Sequence, residues 1–156
     1  MASEYIELPP DDSSTVNSND QTSLVVDQAS INQHMTIDFL NLDQNIEAIK
    51  NNVAPNTQLW PVIKDDAYGH GAIPIAKRLA TQVHGFCVVC PLEGVILREA
   101  GIRQPILVFE PPNEHNIAVY KSHNLIASVS HIRHLDLLES GCSYHVNIDT
   151  GMKRLG

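Results

Sequence analysis

The sequence predicts an α/β fold, a parallel sheet covered by helices. Three observations carry that prediction. Apolar runs begin near residues 59, 85, 105, 125 and 144, so strand starts recur about every 20 to 26 residues. Each run is close to continuously apolar, as a strand covered on both faces must be. Between the runs lie stretches with helical apolar spacing, and strands alternating with helices build βαβ units with right-handed crossovers. An open doubly wound sheet and a barrel both satisfy the pattern alone.

Residues 1–33 are rich in Ser, Asn, Asp and Gln. They offer too little apolar surface to offset ordering entropy and are expected to form a disordered polar, acidic tail. Residues 36–40 alternate like a half-exposed strand, and Asp43 is placed to cap a helix carrying Ile46, Ile49 and Val53. The run at 59–64 follows. Ala72, Ala76, Leu79 and Ala80 share one face of the next helix. Pro91 suits a first helical turn, and Leu92, Val95 and Ile96 mark the core face of the helix it opens. Residues 113–121 make a weaker helix, and Ile132, Leu135 and Leu138 mark a fourth. Gly101 and Gly141 punctuate helix ends.

At 156 residues the chain holds one ordinary domain. It is shorter than a complete eight-fold barrel, which takes about 250 residues. The net charge is −8, and nine acidic residues but no Lys or Arg precede Lys50. That acidity belongs to the tail and its neighbour, and it argues against a nucleic-acid partner. A start without positive charge argues against a secretory or transit peptide, and no apolar run reaches membrane-spanning length. Three cysteines suit a reduced, cytoplasmic chain. Cys87 and Cys90 fall on the predicted strand at 85–90, three residues apart and so on opposite faces. That spacing argues against a shared metal or disulfide there. His131 and His134 have i, i+3 spacing but no acidic or cysteine companion, so they read as solvent-exposed side chains.

The most informative segment is Val62-Ile63-Lys64-Asp65-Asp66-Ala67-Tyr68-Gly69-His70-Gly71. An apolar strand delivers one lysine to its C-terminal end. Desolvation there would disfavour the ammonium and leave free amine to attack an aldehyde. Gly69 and Gly71 permit an unusual backbone path into the following helix, and His70 would shape that loop by hydrogen bonding. Asp65 would oppose the desolvation if it faced the amine; strand alternation points it outward. Pro61 cannot donate within a strand ladder, which is awkward for a central strand.

This segment resembles the cofactor-lysine motif of the alanine racemase family. A second resemblance follows in family order at Asp149-Thr150-Gly151-Met152-Lys153-Arg154-Leu155-Gly156. The resemblance runs from about Thr36 to Gly156 and selects the barrel. It implies a partial (β/α)8 TIM barrel, about the first five barrel strands with their helices. Residues 34–156 would be an incomplete, N-terminal part of a pyridoxal-phosphate-binding barrel domain, left open after the fifth strand. The strand at 36–40 would belong to a separate β domain and would lack its partners.

The resemblance implies that Lys64 bonds pyridoxal 5′-phosphate and serves as a catalytic base. Tyr68 would meet the cofactor phosphate, and Arg154 its phenolic oxygen. Asn147 stands where many relatives carry a carbamylated lysine, and a chloride near Asn147 would replace that negative charge. The implied activity is interconversion of L- and D-alanine for cell-wall D-alanine supply, by a homodimer in the full-length form. The second base and the arginine that meets the pyridine nitrogen would lie outside this chain, leaving these residues alone inactive. Alternatives are a racemase of broader range, including serine or basic amino acids, a non-catalytic pyridoxal-phosphate-binding barrel, and a remnant without cofactor.

Overall fold

The computed structural model describes residues 23–27 and 34–156. The disorder expected for 1–22 and 28–33 lies outside the described residues. The chain divides into two compact units, residues 1–40 and 41–156.

In the first unit β1 (Ser23–Asp27) pairs antiparallel with β2 (His34–Asp38), Ser23 opposite Asp38 and Asp27 opposite His34. Two expectations are corrected here. The run Leu24-Val25-Val26, counted with the polar tail, is β-favouring and forms a strand. The strand expected at 36–40 lies two residues earlier and does have a partner. Helix α1 (Phe39–Asn51) follows at once, so Asp43 stands inside the helix and is not its N-cap.

Asp43 instead takes Arg78. Its two carboxylate oxygens each lie 3.1 Å from Arg78 Nε, and Gln82 Nε2 donates to Oδ1 at 2.8 Å. These bonds tie α1 to α3 (Ala72–Leu79) and the turn that follows it. The Arg78 hydrogen bonds, then Gln82, hold the Asp43 carboxyl below its usual range.

The second unit is built on four parallel strands in sequence order. They are β3 (Phe86–Val88), β4 (Ile106–Val108), β5 (Ile126–Val129) and β6 (Tyr144–Val146). The expected strand at 59–64 joins them beside β3 only as a single parallel bridge, Val62 to Cys87. Cys87 N donates to Pro61 O and Ile63 N to Cys87 O, both at 2.9 Å. The next bond back would need an N–H on Pro61, so the ladder stops there.

Sequential order separates this sheet from a doubly wound one, whose strand order reverses part-way. Curvature separates it further. Trp60, beside β3, and His145, on β6, lie with ring centroids 6.0 Å apart. Four strand spacings in a flat sheet would put them roughly 19 Å apart. The sheet therefore curls as a barrel wall does. The Trp60 ring fills its concave face so closely that a Cβ on Gly85 would overlap it.

The convex face carries the core. Phe86, Val88, Ile106, Val108 and Ala127 are fully buried and pack with Ala76, Leu79, Leu97 and Tyr120 from the helices. Each large side chain among them contributes roughly 1.5–3 kcal/mol by burial. In α4 (Pro91–Glu99) the buried residues are Pro91, Gly94 and Leu97. Leu92 and Ile96, expected in the core, are exposed. A Cβ on Gly94 would come within 2.9 Å of Leu125, so the small residue, rather than its large neighbours, makes the close contact. The third and fourth helices are short, α5 (Ile117–Ser122) and α6 (Ile132–Leu137). Among the described residues no helix is long and apolar enough to cross a membrane.

Candidate active site

Parallel strands deliver all their C-terminal ends to one side. There a cleft of about 830 Å³ opens, lined by the residues that leave those ends: Lys64, Val89, Phe109, Glu110, Asn147 and Asp149, together with Arg154. The C-terminal face is where barrel folds hold their chemistry, because only the loops on that side are free of packing duty.

Lys64 opens the short element α2 (Lys64–Gly69), whose backbone is not an ordinary helix. Asp65, Asp66, Ala67 and Tyr68 have φ of 51°, 53°, 53° and 57°, a left-handed turn made by four L-residues in a row. Such geometry costs roughly 1–2 kcal/mol per residue. Local bonds hold it: Ala67 N to Ile63 O at 3.0 Å, Gly71 N to Asp66 O at 2.9 Å, and Ala72 N to Asp66 Oδ1 at 2.6 Å. The His70 ring donates from Nδ1 to Ala67 O at 2.8 Å, the loop-shaping bond the sequence suggested. Gly69 and Gly71 continue at positive φ, 84° and 87°. The unusual path thus begins four residues before the first glycine.

The Lys64 side chain is 34% exposed, partly withdrawn from water. Its ammonium lies 3.9 Å from Asp65 Oδ2 and 5.8 Å from the Tyr68 ring centre. The outward placement of Asp65 is therefore corrected. Strand alternation fails because the chain has already turned left-handed, and the carboxylate swings beside the amine. It is itself 65% exposed, so water screens the pair.

Of the residues singled out in the sequence, Lys64, Asn147 and Arg154 line the cleft. Tyr68 does not; it stands at the amine's side and is 60% exposed. Arg154 is exposed on the loop after β6. Asp149 organises that loop, its Oδ1 accepting from Gly151 N at 2.7 Å and Lys153 N at 3.0 Å. Those backbone donors, Lys153 first, lower its carboxyl below the usual range. Asn147 Nδ2 donates to Ser130 Oγ at 3.0 Å, fixing the amide at the cleft wall.

Two side chains at this end escaped the sequence reading. Tyr120 is buried and donates its hydroxyl to Glu110 O at 2.6 Å, supporting the wall at Pro111. Glu93 bonds the first amide of the lysine turn from another element. Its signal was present in Cys90-Pro91-Leu92-Glu93, a capping-box spacing with cysteine in the Ser/Thr place.

The cysteine reading changes in detail. Cys90 has left the strand and caps α4, while Cys87 stays buried and its thiol is pushed up to about 11 by burial. Both are free thiols. His131 is exposed and His134 half-buried. Their Nδ1 atoms accept from Arg133 N and Ser130 N at 3.1 and 3.2 Å, which occupies those ring lone pairs. No group of three or more potential metal ligands exists among the described residues.

The model of the alanine racemase N-terminal domain matches residues 37–156. This chain belongs to the alanine racemase family. An alanine racemase of Streptococcus suis is 38% identical over 126 residues, covering 75% of this chain and 34% of that protein. One of Lactococcus lactis is 31% identical over 131 residues, covering 80% and 36%. Among solved structures, the Clostridium difficile alanine racemase in complex with cycloserine superposes with a TM-score of 0.72 at 31% identity, over 74% of this chain and 34% of that one. The Bacillus anthracis alanine racemase with bound L-Ala-P gives 0.65 at 33% identity, over 72% and 31%. The chain thus spans about a third of the length of the racemases it matches. The fold is the N-terminal barrel portion of that family, as the motifs implied.

Proposed function

We propose that this chain supplies the cofactor-binding lysine of an alanine racemase, and that the cofactor is pyridoxal 5′-phosphate. The observation that carries the reading is Lys64: one partly desolvated amine, on a turn of left-handed backbone, at the strand-end cleft it shares with Arg154. The residues fit such a group. A cleft of about 830 Å³ suits a small molecule, and an amine and a guanidinium suit an aldehyde and an anionic ring oxygen.

In this proposal Lys64 Nζ would hold the cofactor through its aldehyde carbon, the condensation releasing one water. Arg154 holds the phenolic oxygen, and Tyr68 beside the amine meets the phosphate. When bound, the cofactor draws electrons from the substrate α-carbon and makes its proton acidic. Lys64 Nζ, freed as an amine once the substrate amine has replaced it on the aldehyde carbon, would then take or return the proton on one face. A chloride beside Asn147 would orient Arg154 by its charge. The substrate is a small amino acid, alanine first, and the working form is a cytoplasmic homodimer whose partner supplies the proton on the opposite face.

Hydrogen exchange at the substrate tests the reading. With pyridoxal phosphate present, the chain should wash deuterium from D₂O into the α-position of one alanine enantiomer, followed by NMR. Lys64→Ala should abolish the exchange. Equal exchange in wild type and Lys64→Ala would remove the lysine from its role. Net racemisation by these 156 residues alone should be undetectable, because both faces must be served.

A further inference from the structure

One carboxylate ties the turn that carries Lys64 to the helix that follows β3. Glu93 sits in the first turn of α4. Its Oε2 accepts from Val89 N at 2.7 Å and Cys90 N at 3.2 Å, the usual work of a capping-box glutamate. Its Oε1 does something else. It accepts from Asp65 N at 2.6 Å, across 28 residues of sequence. Asp65 is the first residue with positive φ, bonded directly to Lys64. The backbone bonds within the turn begin later, at Ala67 N, His70 N and Gly71 N. Glu93 thus holds the end of the turn nearest the amine, and does so from the N-terminus of the helix after the neighbouring strand.

We propose that Glu93 is a positioning residue for Lys64, clamping the Asp65 amide so that the lysine leaves the strand toward the cleft. A strained backbone persists only where its surroundings over-determine it, and a carboxylate with three backbone N–H donors is a strong tether. This rests on the reading of Lys64 as the cofactor-bearing amine, and the test separates the two. Glu93→Gln is close in shape but has one acceptor oxygen. That oxygen belongs with the paired N–H groups of Val89 and Cys90, leaving an NH₂ against the Asp65 amide. Glu93→Ala removes all three bonds. Arg98→Lys, at the far end of α4, weakens the fold without touching the turn.

Two quantities are read on the whole chain: the rate at which pyridoxal phosphate is fixed on Lys64 by borohydride, and exchange of the Asp65 amide by NMR. Losing a charge-assisted bond predicts labelling about tenfold slower and Asp65 exchange about tenfold faster in Glu93→Gln, with Arg98→Lys within about twofold of wild type. Labelling that stays within about twofold of wild type in both Glu93 variants would overturn the proposal. So would an equal loss in Arg98→Lys, which would mean general destabilisation. If wild type is never labelled at Lys64, the functional reading fails by itself and amide exchange decides the clamp. Protection in wild type that is lost in Glu93→Gln supports it. An Asp65 amide exchanging at the free-peptide rate in wild type overturns it, whether or not the variants fold.

Discussion

At the N-terminal end of the sheet, Arg98 donates to four main-chain carbonyls: His123 O at 2.9 Å, Ile102 O at 2.9 Å, Gln104 O at 2.7 Å and Asn124 O at 3.0 Å. At the opposite end, Lys64 stands a third exposed on left-handed backbone, and the loop carrying Arg154 is open to water. Both ends carry a cation, but only Arg98 sits among backbone carbonyls. At the first, carbonyl dipoles absorb the charge and lock the loops that lead into β4 and β5. Burial, then Arg103, keeps that guanidinium below its usual value, so neutral carbonyls must compensate a cation that water no longer solvates fully. At the second, strain and exposure are retained, and the cations remain available to a ligand. Strand direction thus separates the packed end of this sheet from the end where chemistry is proposed.

The comparison breaks first at Arg98. Arg98→Ala should lower unfolding free energy by about 2–3 kcal/mol, since it strips charged donors from several part-buried carbonyls at once. Denaturant unfolding checks this, and labelling of Lys64 in the folded population should be unchanged. A drop in labelling with stability intact would merge two ends that the account keeps apart.

The lesson from the sequence lies in which end was legible. The convex core was read from apolar runs alone, because burying Phe86, Val88, Ile106 and Val108 is a matter of composition and period. The end of α4 at Gly101 was equally readable. There Gly101 N bonds Arg98 O and Ile102 N bonds Leu97 O, with φ of 92° that glycine accepts freely. The same motif closes α5 on Asn124, with Leu125 N to Tyr120 O at 2.8 Å, and no glycine announces it. At the site, the identities of Lys64 and Arg154 stood out through motif resemblance. The left-handed run did not, because nothing in Asp65-Asp66-Ala67-Tyr68 prefers positive φ strongly. Local bonds to Ile63 and Ala72 hold it, and Asp65 N adds one long-range bond to Glu93. Tertiary overrides of this kind are invisible to local propensity, and they concentrated where the chemistry is proposed.

A smaller effect sharpens the contrast by pH. Asp149 holds the Arg154 loop through backbone bonds, and its carboxyl lies below its ordinary value of 3.8. A lowered folded pKa gives stabilisation that is complete above the unfolded value and is lost as pH falls through the folded one. Amide exchange at Gly151 and Lys153 should therefore accelerate, relative to the acid dependence of free peptides, only below about pH 4. Asp149→Asn should abolish that transition. The Arg98 end should show no change over the same interval, having no carboxylate among its bonds.

The smallest expected effect is that of anion. Replacing chloride by a bulky anion such as gluconate should weaken pyridoxal-phosphate affinity by a few-fold, roughly 1 kcal/mol or less. Absorbance titration measures this. Identical affinity in the two salts would remove chloride from the neighbourhood of Asn147.

The five lysines of the chain, Lys50, Lys64, Lys77, Lys121 and Lys153, serve as one another's controls. The chain is mixed with pyridoxal phosphate, reduced with borohydride, digested and mapped by mass spectrometry. The cofactor mass is expected on Lys64 at one equivalent, before any other lysine, and should disappear in Lys64→Ala. Label spread over Lys50, Lys77, Lys121 and Lys153 with no preference for Lys64 would contradict it.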